Sequence, residues 1–342
     1  MSRRDAFVKA ITAWFEHEAR DLPWRYQRTG YTGLVSEAML QQTQVARVVE
    51  RFTAFMARFP TVAALADANE QDVLALWQGL GYYRRARLLH AAAKQIMADH
   101  GGQVPASPDA LQSLPGVGRY TAGAIASIVF GAAAPIVDGN VFRVLARFDA
   151  FDAPMTESES QRWVWSLAET LVAIAHQPGT FNEGLMEFGA TVCTPKSPAC
   201  DRCPVDRSCR ARQLGQVDAI PVPKPRITVQ DTHHHAVVIT RGDRTLMIQR
   251  PASGMWSNMW EPPTVEAAQS LSDEDIRAQL ALPLLKLSSC GEYVHQTTHR
   301  RVVFHVFRGT TRARRGRWVA DSDMASLPMS NAHRRVLDLA GR

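Results

Sequence analysis

Cys193, Cys200, Cys203 and Cys209 stand in a C-x6-C-x2-C-x5-C run, and no other feature restricts the folding of this chain as tightly. Thiols this close in sequence can converge on one centre, which pins the surrounding backbone into a compact loop. Four soft ligands suit an iron–sulfur cluster or a tetrahedral zinc ion, and spacing alone does not separate the two. Only one further cysteine, Cys290, occurs in the chain, and it reads as an isolated structural thiol. Four of five cysteines in one short segment do not make a secreted disulfide framework; they indicate a metal site in a reducing compartment. Arg202, Arg207, Arg210 and Arg212 surround the loop, giving either a solvated rim or a phosphate-contacting one.

A chain of 342 residues is long enough for two or three domains with sizeable cores. Up to about Arg212 the pattern is helical. Phe7, Ala10, Ile11, Trp14 and Phe15 recur at i, i+3, i+4 spacing, as do Leu88, Leu89, Ala92 and Ile96, so this part reads as a bundle of short helices. Between Gln213 and Asp231 the composition changes to Ile220-Pro221-Val222-Pro223-Lys224-Pro225, whose prolines favour an extended strap. Beyond it, Ala236–Thr240 and Arg301–Phe307 predict strands, and Asp273–Leu280 and Ala332–Leu339 predict helices. The expected division is a helical domain over 1–212, a Pro-rich connector over 213–232 and an α+β domain over 233–342. His233-His234-His235 is expected at the start of a strand rather than in a metal site.

Apolar runs such as Ala122–Ile128 fall far short of the roughly 20 residues that span a bilayer, so no membrane is expected. The N-terminal residues lack the apolar region of a secretory signal, which predicts a cytosolic chain, nucleoid-associated in a bacterium. A formal net charge of +6 and a pI near 9.3 favour a polyanionic partner, weakly on their own.

Leu114-Pro115-Gly116-Val117-Gly118 precedes a predicted helix over Arg119–Phe130. The glycines Gly116 and Gly118 permit a tight turn that leaves backbone N–H groups facing outward at a helix N-terminus, where phosphate binds without a charged side chain. An ordinary αα-hairpin has the same pattern. Asp138-Gly139-Asn140 follows after a short loop, and a second acid, Glu37, sits among Met39-Leu40-Gln41-Gln42-Thr43-Gln44, glutamines unusual on a core helix. Two carboxylates in different environments can cleave a glycosidic bond, one protonating the leaving group and the other stabilising the sugar cation.

These residues resemble the helix–hairpin–helix DNA glycosylases, and within them the MutY-type adenine glycosylases. Leu22-Pro23-Trp24-Arg25, Ser36-Glu37, Met39-Leu40-Gln41-Gln42-Thr43-Gln44-Val45, Gly79-Leu80-Gly81-Tyr82-Tyr83, Leu114–Ala122, Val137–Val141 and the cysteine run carry the resemblance in order along nearly the whole chain. It implies an all-α glycosylase domain with an iron–sulfur loop, plus a C-terminal α+β Nudix-like domain. It further implies a [4Fe–4S] cluster on Cys193, Cys200, Cys203 and Cys209, structural and DNA-contacting rather than redox-catalytic. Glu37 matches the general acid that protonates adenine, and Asp138 the carboxylate that stabilises or captures the sugar cation. Tyr120 and Asn140 match residues supporting that chemistry, and Glu183 a position near the extruded adenine. Arg25, Leu40, Gln42, Tyr82, Gly116 and Gly118 match positions around the DNA.

The implied activity is base excision repair: removal of adenine mispaired with 8-oxoguanine, and also with guanine, by a monomer on duplex DNA. The related endonuclease III family carries a lysine where this chain has Tyr120; without that amine there is no Schiff-base nucleophile, so strand cleavage is expected to be inefficient. The remaining readings are an endonuclease III-like glycosylase/lyase for oxidised pyrimidines and a noncatalytic damage-binding protein.

In the C-terminal part Arg250-Pro251, Gly254-Met255-Trp256 and Met259-Trp260-Glu261 carry the Nudix-like match, without the acidic metal-binding helix of the hydrolases. The family's Phe-Ser-His turn, which touches the oxidised guanine, aligns with Thr297, Thr298 and His299, so the aromatic is replaced. A second departure is Gly30, where the family usually has proline.

Overall fold

Many of the helices begin where the sequence supplies a cap. In the computed structural model, which describes residues 2–223, 230–280, 282–297, 300–313 and 316–342, Ser2 and Asp5 form a capping box on α1 (Arg3–Glu18) and Thr29 with Thr32 one on α2 (Gly30–Leu40). Then come α3 (Val45–Arg58), α4 (Val62–Ala66), α5 (Glu70–Leu76), α6 (Arg84–His100), α7 (Pro108–Gln112) and α8 (Arg119–Ile128). The helical part closes with α9 (Gly139–Asp149), α10 (Ser158–Ala173), α11 (Pro178–Thr191) and the short α12 (Arg210–Gln213).

The chain forms two compact units, Met1–Asp67 with Leu88–Pro225 and Ala68–Arg87 with Arg226–Arg342. In the first, α9 runs through the core: Val141, Phe142, Val144, Leu145, Ala146 and Phe148 are buried against Phe7 and Ile11 of α1, Leu167 and Leu171 of α10, and Phe181 and Leu185 of α11. A helix buried around most of its circumference cannot shift without breaking that packing, and its first turn supplies part of the site described below.

The second unit is a sheet with β1 (Gln230–Arg241), β2 (Arg244–Gln249), β3 (Trp260–Glu261), β4 (Thr264–Ala267), β5 (Leu284–Gln296), β6 (Arg300–Thr311) and β7 (Arg317–Ala320). Strands run in the order β3-β2-β1-β6-β5, with β4 on β1 and β7 on β2. β1 and β6 are parallel, and β5 returns antiparallel to β6 with an irregularity between Ser289 and Gly291. Alternate residues of β1 serve opposite faces: Ala236 and Val238 pack with Phe304, Met329 and Val336, and Val237 and Ile239 with Leu246, Ile276 and Phe307. The helices are α13 (Asp273–Gln279), α14 (Asp321–Met324) and α15 (Asn331–Leu339).

The histidine tract lies within β1, paired across from Val303–His305. β1 begins at Gln230, so the last three residues of the expected connector are strand. The segment Ala68–Arg87, which helical periodicity assigns to the N-terminal part, groups with the sheet instead. Polar side chains hold it there. Gln71 Nε2 donates to the Asn258 carbonyl (3.2 Å) and its Oε1 accepts from Trp260 Nε1 (3.1 Å), Asn258 Nδ2 donates to Glu70 Oε1 (2.8 Å), and Arg87 Nη1 donates to the Ser257 carbonyl (2.6 Å).

Gly30 acquires a physical reason. A Cβ there would lie 2.6 Å from Val104 Cβ and 3.1 Å from Phe130 Cζ, so Val104 fills the space a proline ring would need.

Candidate active site

Asp138 is the N-cap of α9. Its Oδ1 accepts from the Val141 N–H at 2.7 Å and its Oδ2 from Asn140 Nδ2 at 3.1 Å. Asn140 is oriented in turn by Arg143 Nη2, which reaches its Oδ1 at 2.8 Å and the Gly189 carbonyl at 2.7 Å. Burial raises the Asp138 carboxyl above its ordinary value, against the backbone hydrogen bonds and Arg143 that favour the anion.

Glu37 lies on the buried face of α2. Burial pushes its carboxyl up to about 7; a hydrogen bond from Tyr120 opposes the rise, and the charges of Asp138 and Glu183 add to it. Tyr120, in the first turn of α8, is held well above the ordinary phenol range by burial and by the charges of Glu37 and Asp138, so it remains a donor, with its hydroxyl 2.9 Å from Met186 Sδ.

Glu37, Tyr120, Asp138, Asn140, Glu183, Arg25 and Leu40 all line one cavity of about 230 Å³ in the first unit. Its lining also includes Glu183 and Glu187 of α11. Arg25 Nε donates to Glu183 Oε1 (3.1 Å) and Arg28 Nη1 to Glu183 Oε2 (2.5 Å), while Arg20 binds both Glu187 oxygens (2.6 and 2.9 Å) and Arg25 Nη2 reaches Glu187 Oε2 (3.2 Å). For Glu187, burial would raise the carboxyl, but the Arg20 hydrogen bonds and the charges of Arg25 and Arg20 outweigh it and hold the group below its ordinary value. One cavity thus holds a carboxyl suited to carry a proton at neutral pH beside an aspartate at a helix N-terminus, the pairing that acid-assisted glycosidic cleavage requires.

The predicted DNA-contact positions fall in two places. In the first unit, Gly116 (φ +79°) makes the turn before α8, with its α-carbon so close to Leu88 that a Cβ would sit 2.8 Å from Leu88 Cβ. Gly118 caps α8 with no side chain bonded to the helix end and open space around it. Gln42 is exposed just past α2 with φ +55°. In the second unit, Tyr82 also has a positive φ, +47°, and is 48% exposed. A left-handed bulky residue costs of order 1–3 kcal/mol and marks functional loops. Tyr82 and Thr297 line one cavity of about 570 Å³ with Trp256, His295 and Arg300. Thr298 and His299 lie outside the described residues.

Cys193, Cys200, Cys203 and Cys209 line a single cavity in the first unit, all as free thiols. Arg147 Nη1 lies 3.4 Å from Cys193 Sγ, and backbone N–H groups of Val205, Arg212 and Ala211 point at Cys203 and Cys209. N–H donors around sulfur are what a thiolate-held group needs. Among the described residues no three cysteine, histidine or carboxylate side chains are placed to hold a single metal ion.

Residues 35–170 match the HhH-GPD superfamily base excision DNA repair protein family, and residues 234–339 match the NUDIX domain. An adenine DNA glycosylase of Rattus norvegicus is 36% identical over 398 residues, spanning 97% of this chain and 77% of the relative. The chain belongs to the adenine DNA glycosylase family. A thermostable thymine-DNA glycosylase shares the fold at a TM-score of 0.57 and 30% identity, over 62% of this chain and 97% of its own. Endonuclease III in a non-covalent DNA complex matches at 0.53 and 23%, over 63% and 98%, a likeness of fold alone.

For an adenine DNA glycosylase family member, the helical glycosylase unit and the Nudix-like sheet are the two expected bodies, and the enzyme is one of base excision repair. Sequence reasoning passed over Arg20, Arg28, Glu187 and Arg143. A signal existed for Glu187 alone, which stands at i, i+4 from Glu183 on one face of α11; the arginines that answer the two are identified only by the fold.

Proposed function

We propose that this chain hydrolyses the N-glycosidic bond of adenine mispaired with 8-oxoguanine, and also with guanine, in duplex DNA, without efficient strand cleavage. The observation that carries the reading is the shared cavity of Glu37 and Asp138, one carboxyl pushed up to about 7 and the other bonded into the start of α9. With adenine extruded into the cavity, the Glu37 carboxyl gives its proton to a ring nitrogen. The sugar–base bond breaks with its electron pair leaving on the base, and the Asp138 carboxylate stabilises the cation left on the sugar. Water then adds to that carbon and gives up its proton, restoring the acid. Tyr120 orients Glu37, and Asn140 orients Asp138.

Three further features support the DNA part of the reading. The uncapped N-terminus of α8 after Gly116 and Gly118 offers backbone N–H groups to a phosphate. Gln42 in the first unit and Tyr82 in the second each have a left-handed backbone at a position that the family resemblance gives to DNA contact, and the cavity shared by Tyr82 and Thr297 within the second unit takes the oxidised guanine. Cys193, Cys200, Cys203 and Cys209 would hold a [4Fe–4S] cluster, whose bonds to the four sulfurs would cross-link the loop and stiffen it. Burial pushes the Cys203 thiol up to about 12 and raises those of Cys193 and Cys209, so loading must displace protons from these groups. Among the described residues lining the Glu37 cavity there is no lysine, which removes the amine that lyase chemistry uses.

The test incubates excess enzyme with duplexes carrying adenine opposite 8-oxoguanine, guanine or thymine, and compares free adenine with strand breaks before and after alkali. Adenine release fastest from the 8-oxoguanine pair, with breaks appearing after alkali, is the expected result. Release of an oxidised pyrimidine with direct nicking, or no release by cluster-loaded enzyme, contradicts it.

A further inference from the structure

Glu183 is 5% exposed, and each of its oxygens is held by a different arginine: Oε1 by Arg25 Nε and Oε2 by Arg28 Nη1. The two clamps are themselves tied together. Arg28 Nε donates to the Arg25 carbonyl at 3.3 Å, and Arg25 Nη1 donates to the Arg20 carbonyl at 2.7 Å. Arg25 is also committed to Glu187 and lies over the Phe15 ring at 4.9 Å. Arg28 has Glu183 as its only ion-pair partner among the described residues, and it lines the cavity beside Glu183.

An ionised carboxylate is an acceptor with about four lone-pair sites. Two are occupied by the arginines, and the others remain for whatever enters the cavity. A neutral acid would present a donor proton there. A carboxylate fixed by two cations presents acceptors only, in one orientation, and so complements a base carrying an N–H rather than one lacking it.

We propose that Arg28 is a positioning residue that fixes Glu183 as an acceptor for the exocyclic amine of adenine, so that preference for adenine over purines lacking this amine depends on Arg28. The inference rests on adenine entering the Glu37 cavity. Sites built to hydrogen-bond an N–H reject analogues without it because the buried acceptor is left unpaired. At metal sites, loss of a partner that orients a ligand group typically costs about 10- to 100-fold, and an orienting partner behind a base-binding acceptor is expected to act on the same scale.

The experiment measures single-turnover excision of adenine and of unsubstituted purine, each opposite 8-oxoguanine, by the cluster-loaded wild-type protein, Arg28→Met and Arg28→Lys. Arg28→Met is expected to slow adenine excision by about 10- to 100-fold while changing purine excision little, collapsing the preference; Arg28→Lys, which keeps the charge, restores part of it. Equal slowing of both substrates, with a changed salt dependence, would make Arg28 a DNA-backbone contact and overturn the inference, as would an unchanged ratio. Should Arg28→Met not fold, the adenine-to-purine ratio of Arg28→Lys decides: a lowered ratio supports the inference and an unchanged one overturns it. A wild-type protein that releases no adenine refutes the functional reading itself, whereas normal wild-type release with an untouched ratio refutes this inference alone.

Discussion

Two pairs of carboxyl side chains line the Glu37 cavity under opposite conditions. On the α11 wall, Glu183 and Glu187 are answered by Arg20, Arg25 and Arg28. On the wall built by α2, α8 and the start of α9, Glu37 and Asp138 are buried near one another with a tyrosine, an asparagine and backbone N–H groups as their direct hydrogen-bonding partners, and Arg143 reaches Asp138 through Asn140. The result is an electrostatic division. Glu187 stays below its ordinary value while Glu37 rises to about 7. Burial alone does not decide whether a carboxyl donates or accepts; burial with or without a cation does.

The harshest way to break this comparison is to remove the chemistry from the uncompensated wall. Glu37→Gln and Asp138→Asn should each lower single-turnover adenine excision by about 10²- to 10⁴-fold while the protein still binds the mispaired duplex in a gel-shift assay; a residual rate within tenfold of wild type would remove that residue from the mechanism. At Arg25, among the charge-compensated groups, a loss of stability should also appear. Arg25 is 14% exposed and bonded to both glutamates, so Arg25→Met takes one of two arginine partners from each buried carboxylate, leaving Arg28 on Glu183 and Arg20 on Glu187, and should cost about 1–3 kcal/mol in denaturant unfolding.

The pH dependence of stability sharpens the contrast, because the two glutamates should have opposite signs. Glu37 is raised from 4.5 to about 7, so between those values the folded protein binds more protons than the unfolded chain and loses stability as pH rises, by at most about 1.4 kcal/mol per unit. Glu37→Gln should therefore gain on wild type as pH climbs through this window. Glu187 is lowered; its contribution is present above the unfolded value and lost as pH falls through the folded one, so Glu187→Gln should be most damaging near neutrality and approach wild type in acid. Parallel curves for the two variants would contradict the division.

The smallest predicted effect lies at the α2 start, which carries Glu37 into the cavity. Proline is ordinarily favoured at a first helical position, yet Gly30→Pro should destabilise by about 1–3 kcal/mol through its contact with Val104. Val104→Gly in the same molecule, which removes the Cβ as well as the branch, should recover part of that loss in thermal unfolding; recovery of none would mean that Val104 is not the obstacle.

How much of this was legible beforehand divides along the same wall. Glu37 and Asp138 stand out from the residues themselves and Tyr120, Asn140 and Glu183 from the family resemblance, and the structure brings all five to one cavity. The strands around Ala236 and Arg301 and the helices at Asp273 and Ala332 were legible from period and composition. Arg20 and Arg28 were not, since an arginine beside Leu22–Arg25 reads as a solvated charge until its partner, more than 150 residues away on α11, is placed. Ala68–Arg87 was assigned to the helical part because α5 is indeed a helix; its grouping with the sheet depends on Glu70, Gln71 and Arg87 finding Ser257, Asn258 and Trp260, which no periodicity reveals.

The most direct test is the pH profile of single-turnover adenine excision opposite 8-oxoguanine under saturating enzyme. The account predicts a bell: an alkaline limb falling about tenfold per pH unit above about 7 as Glu37 loses its proton, and an acid limb as Asp138, raised by burial, becomes protonated. A rate that stays level or climbs from pH 7 to 9 would contradict Glu37 as the proton donor, and with it the division between the two walls.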